Sequence, residues 1–177
     1  MKLLSQFLLI MFLSSFTVPN SSLIDWSADR RLTWSDFKSS PDSNSPNAAL
    51  TATNIKFDFS YSSDKGFQYH ISCQFDKNKS WGRVKTDYIL SHEQGHFDIA
   101  EIYARKLYKA FKEYNPDIEK ANKEVNKIYE KVMHELTETQ KQYDHETNFS
   151  INKEKQMEWL KKINEDLKSL QAYSDYH

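Results

Sequence analysis

Apolar and polar residues alternate along the first half of the chain and give way to helical spacing in the second. Ile55, Phe57, Phe59 and Tyr61 alternate with Lys56, Asp58, Ser60 and Ser62. After Asp64-Lys65-Gly66 the same alternation runs through Phe67, Tyr69, Ile71, Cys73 and Phe75. Successive side chains of a strand point to opposite faces, so a period of two predicts a hairpin with one apolar face. Cys73 falls on that face as a core residue, and His70 on the polar, solvated one. Upstream, Ile24-Asp25-Trp26-Ser27 and Leu32-Thr33-Trp34-Ser35-Asp36-Phe37 predict edge strands, or a strand and a turn, that pack Trp26 and Trp34 on the core. Asp36 there reads as a turn or cap residue. Lys38 to Asn47, rich in Ser and Pro, is an exposed loop.

From Thr86 and Asp87, plausible caps, the spacing predicts a helix. His92, His96, Ile99, Tyr103, Leu107, Ala110 and Tyr114 fall within a stripe of roughly 80° at 100° per residue, the face turned to the core. Glu101 and Arg105 lie on another face as an i,i+4 solubility pair, and Asp98 points away from the histidines, exposed or bonded locally. Asn115-Pro116 starts a second helix, with Ile118, Ala121, Val125, Ile128, Val132, Leu136 and Tyr143 inward and His134 on the surface. Asn148 to Asn152 breaks it. A third helix follows from about Lys153, with Trp159, Ile163, Leu167 and Leu170 inward. The fold class is therefore α+β: a small antiparallel β-sheet in the N-terminal half, then three helices, the first two an antiparallel pair.

Composition narrows the function classes. A formal net charge of −1 and a pI near 6.6 speak against a nucleic-acid partner. Lys2 followed by the apolar run Leu3 to Phe16 reads as a secretory signal peptide over residues 1–22, shorter than a comfortable membrane span. No Cys lies near it to carry a lipid, so no stable membrane anchor is expected after cleavage. Residues 23–177 then form one domain, secreted or periplasmic. Cys73 is the only cysteine, so no intrachain disulfide forms and packing, aided by a metal, must stabilise the fold.

The chemistry concentrates in Ser91-His92-Glu93-Gln94-Gly95-His96-Phe97-Asp98, which contains His-Glu-x-x-His. Positions i and i+4 lie about 40° apart around a helix, so His92 and His96 face one way, one turn apart. Two such imidazoles can close on one Zn²⁺ at roughly 2.0–2.1 Å. Glu93 can take a proton from metal-bound water and pass it to a leaving amine. With six His and twelve Glu in the chain, about 0.013 matches are expected by chance. The competing reading is a surface helix that carries two histidines. The stripe argues against it, because two buried imidazoles without a partner are costly and a metal resolves the cost.

A hydrolytic zinc needs three protein ligands and an open position. The residues after His96 lack the Gly and third His of the metzincin extension. The third ligand must come from elsewhere, and Tyr143-Asp144-His145-Glu146-Thr147 offers three candidates: Asp144, with His145 and Glu146 as alternatives. An antiparallel second helix would bring this end back to His92. The cluster also reads as a helix end with local hydrogen bonds.

Leu32-Thr33-Trp34-Ser35-Asp36-Phe37, Ser80-Trp81, Leu90-Ser91-His92-Glu93-Gln94-Gly95-His96-Phe97-Asp98-Ile99 and Tyr143-Asp144-His145-Glu146-Thr147 occur in one order. In this the chain resembles the bacterial domain of unknown function 922 family, described as predicted secreted zinc-dependent proteases. The resemblance implies a zincin-like helix at the centre of the fold and a zinc metallopeptidase role for His92, His96 and Glu93 on a peptide or protein substrate. There is one departure. The family pattern carries a His two positions after the Tyr-Asp-x-x-Thr segment, where this chain has Phe149. If that His is a ligand, Asp144 or His145 must replace it, or the site is degenerate. A non-catalytic, metal-stabilised binding or scaffold module is the alternative function, and a zinc hydrolase acting on something other than peptides a third.

Overall fold

The apolar faces of the two alternating segments meet in register. In a computed structural model of the chain, which describes residues 21–62, 64–115 and 119–176, β3 (Thr53–Ser62) and β4 (Gly66–Asp76) pair antiparallel with Ile55 opposite Cys73, Phe57 opposite Ile71 and Phe59 opposite Tyr69. Gly66 closes the turn at φ 65°, a conformation that glycine adopts without a Cβ clash. β1 (Leu23–Asp25) adds to the other side of β4, giving the order β1-β4-β3. The Leu32–Phe37 segment forms a 3-10 turn over Trp34–Asp36, where Asp36 accepts from the Thr33 backbone N–H and hydroxyl. A short second pair joins β2 (Ala49–Leu50) to β5 (Trp81–Gly82).

Three helices follow. α1 spans Asp87–Lys112, and the Thr86 side chain caps it by accepting from Ile89 N–H. α2 spans Ala121–Thr147 and α3 Lys153–Ser169, the latter capped by Asn152. α2 starts later than the Asn115-Pro116 signal suggests. Residues 116–118, including Pro116 and Ile118, lie outside the described residues, as does most of the segment read as a signal peptide.

α1 is the hub, packed by β3 and β4, by α2 and by α3. Phe57 stacks on Phe111 with ring centroids 4.6 Å apart, and Phe75 meets Phe97 at 5.9 Å. Between His92 and Arg105 the helix is buried on nearly every side, which corrects the single inward stripe. Glu101 and Arg105 are fully buried, not a solubility pair. They bond each other at 2.8 Å, Arg105 donates on to Leu167 O, and the Tyr176 hydroxyl donates to Glu101. Asp98 is buried as well, and its bonds reach beyond the local Gln94. It also accepts from Trp26 Nε1 at 2.8 Å and pairs with Arg31 at 2.9 Å. The polar faces of α1 are inside because segments distant in sequence bring partners to them.

Candidate metal centre

The pairing of α1 and α2 sets the geometry of the centre. The two helices run antiparallel, so the last turn of α2 lies beside His92 and His96. Gly95 permits the close approach. A Cβ there would come within 2.5 Å of the Tyr143 hydroxyl and 2.9 Å of its ring carbon. Tyr143, fully buried, stacks on the His92 ring with centroids 4.4 Å apart and donates to His92 O at 3.3 Å.

Three ligand atoms converge. His92 Nε2, His96 Nε2 and Asp144 Oδ1 form a triangle with sides of 3.2, 3.2 and 3.0 Å. Ligands held tetrahedrally at about 2.05 Å from one ion stand about 3.3 Å apart, so the triangle has the size of one face of a zinc site. The donor set, two imidazole nitrogens and one carboxylate oxygen, also suits a catalytic divalent ion. Among the described residues this trio can hold a metal ion. A cation would also satisfy two ring nitrogens that face each other across 3.2 Å, where both cannot carry a proton toward the gap.

The surroundings hold the ligands in place. The Gln140 amide donates through Nε2 to His96 O at 2.9 Å, which turns its oxygen toward His96 Nδ1. That contact assigns the proton to Nδ1 and leaves Nε2 facing the centre. His92 Nδ1 is buried with no hydrogen-bond partner among the described residues, and its ring is held by stacking on Tyr143. Asp144 is fixed from its backbone. α2 ends in a Schellman arrangement, with Phe149 N–H bonded to Asp144 O at 2.8 Å and Asn148 N–H to His145 O at 3.2 Å.

Charge follows the same geometry. Burial alone would raise the Asp144 carboxyl, but hydrogen bonds and charge from His92 and His96 outweigh it and hold it well below the usual range. Burial alone would lower His96. The Asp144 bond and charge, the Glu93 charge and the Gln140 bond reverse that, and its value is raised.

The trio and Glu93 line one open cleft of about 400 Å³, which residues 47–53, including β2, also line. Glu93 is 4% exposed and accepts from the Thr51 hydroxyl at 2.7 Å. Of the candidates at the end of α2, Asp144 joins the histidines. His145 is exposed, and Glu146 accepts from Trp159 Nε1 and Gln142 Nε2 instead. Phe149, where the resemblance leads one to expect a His, lines the cleft and is 49% exposed. His70 and His134 are exposed. Cys73 is buried, and burial together with the charges of Glu101 and Asp98 pushes its thiol well up, away from reactivity.

Sequence reasoning did not single out Gln140 or Thr51. Gln140 precedes Asp144 by four residues and so shares its face of α2, a signal that was there to use. Thr51 carries no comparable signal.

Comparison with known proteins gives a single result. The chain matches a family described as bacterial protein of unknown function (DUF922) over residues 17–150, three quarters of its length. No curated protein and no solved structure matches it.

Proposed function

The chain belongs to the DUF922 family of bacterial proteins of unknown function, and from that premise we propose that it is an exported zinc-dependent metallopeptidase. The observation that carries the reading is the shared cleft: a zinc-sized triangle of His92, His96 and Asp144 with the Glu93 carboxylate opening beside it. Zinc held by these three residues would polarise a scissile carbonyl and lower the pKa of a bound water toward about 7. Glu93, which lines the same cleft, would serve there as general base toward water and general acid toward the leaving amine. Thr51 orients the carboxylate through the bond to its other face. Gln140 keeps His96 in the tautomer that presents Nε2. A peptide suits the cleft because it is open and is lined beside the trio by the 47–53 segment, which includes the short strand β2.

The test is Glu93→Gln. It removes the base and keeps the ligands, so peptide hydrolysis by the zinc-loaded protein should fall by at least about a hundredfold while the zinc content holds. Undiminished cleavage by that variant contradicts the mechanism. The alternative, a metal-stabilised binding module, draws on Phe149 at the position of an expected His and on a sequence that signals no substrate pocket or propeptide. It predicts that zinc raises thermal stability and no member of a peptide library is cut.

A further inference from the structure

Beside the metal cleft lies a second one of about 370 Å³, lined by Pro46, Ala48, Tyr88, Ile89, Phe149 and Ile151 among others. The two adjoin. Asn47, Ala48, Phe149 and Ser150 line both. Phe149 thus stands between the polar centre and a mainly apolar recess. Two of its residues are large hydrophobics left facing solvent, Phe149 at 49% and Ile151 at 72% exposure.

The backbone that holds them there is unusual. Asn148, Phe149 and Ser150 have φ of 47°, 52° and 69°, three successive non-glycine residues in the left-handed region. Each costs roughly 1–2 kcal/mol against the right-handed form. Such a run persists only where its surroundings over-determine it. Here Phe149 N–H is tied to Asp144 O and Asn152 N–H to Thr147 O, each at 2.8 Å, and Ser150 is buried beneath. The turn spends conformational energy and leaves an aromatic ring on the lip of the cleft.

We propose that this recess is the specificity pocket of the centre, taking a large apolar or aromatic side chain of a peptide whose backbone lies in the metal cleft. This rests on the peptidase reading and adds the substrate class to it. The occupant follows from the four residues shared with the metal cleft and from the lining: five apolar or aromatic side chains and the exposed Ile151 accept a Leu- or Phe-sized group and offer no charge to an acidic or basic one. Phe149 is then a specificity residue on the wall between the two clefts.

The experiment uses zinc-loaded Glu93→Gln protein and ten-residue peptides of neutral polar residues with Ala, Leu, Phe or Lys at one central position. Binding is followed by calorimetry. Leu and Phe peptides should bind about tenfold or more tighter than the Ala and Lys peptides. That preference should shrink at least threefold in Phe149→Ala and in the exposed-site variant Ile151→Ser, with zinc content and circular dichroism unchanged. Equal affinity for all four peptides, no binding of any, or a preference that both variants leave intact overturns the pocket. The wild-type protein run on the same peptides separates the two claims. An apolar preference in binding with no cleavage leaves the pocket standing and removes the peptidase reading. Cleavage indifferent to the central residue does the reverse.

Discussion

Gln140 shows how much of the centre depends on a residue that bonds a ligand without being one. Its amide couples the His96 ring to the His96 backbone, so Gln140→Ala frees the ring to turn and exposes Nδ1 as a competing donor. The expected result is a zinc affinity weakened about 10- to 100-fold, read by competition with a chromogenic chelator. Gln140→Glu should restore part of it, since a carboxylate oxygen still accepts from Nδ1. The two histidines were legible in the chain because both lie on one helix, four residues apart. Asp144 was legible only as one of three neighbours. Spacing alone does not say which of Asp144, His145 and Glu146 turns inward, because that depends on how α2 is rotated against α1. Glu146 was drawn off by Trp159 and His145 was left in solvent.

At the scale of elements, the helix pair makes the centre, and Gly95 makes the pair. Gly95→Ala drives a methyl into the buried Tyr143 ring, which is already stacked on His92. The expected cost is about 1–3 kcal/mol in urea unfolding, with weakened zinc retention as α2 moves away. A variant as stable as wild type that binds zinc equally well would show that the close approach is dispensable. Glu101 carries a second prediction. Glu101→Ala leaves the Arg105 guanidinium buried without its carboxylate, a loss of about 3–5 kcal/mol by the same measurement. The sequence pattern placed Glu101, Arg105 and Asp98 on outer faces because periodicity registers apolar residues only. Their partners, Trp26, Arg31, Leu167 and Tyr176, come from both ends of the chain, and nothing local announces them. The hairpin was the opposite case, since its alternation and its turn residues lie in one continuous stretch.

For the whole molecule, metal and protons compete for the same three side chains. In the metal-free protein the raised His96 value means that its interactions stabilise the fold fully below about pH 6.5 and fade as the pH rises through the folded value. The lowered Asp144 value works in the other direction, its contribution being present above about pH 4 and lost only in strong acid. Zinc requires unprotonated imidazoles, so its stabilisation grows with pH while the His96 contribution declines. The rise in Tm on zinc addition should therefore be small near pH 5.5 and increase toward pH 8, where a hundredfold excess over Kd stabilises the fold by about 2.7 kcal/mol. A rise independent of pH would point to binding elsewhere. The order of sheet and helices was readable from period changes along the chain, while the enclosure of α1 by all the other layers emerges only when they assemble. The most direct test of the central claim is zinc content per chain by mass spectrometry, after loading and dialysis, for wild type, His92→Ala, Asp144→Ala and His145→Ala. Wild type and His145→Ala should each hold close to one zinc, and His92→Ala and Asp144→Ala should lose it. Wild type that retains none, or Asp144→Ala that retains it in full, contradicts the centre described above.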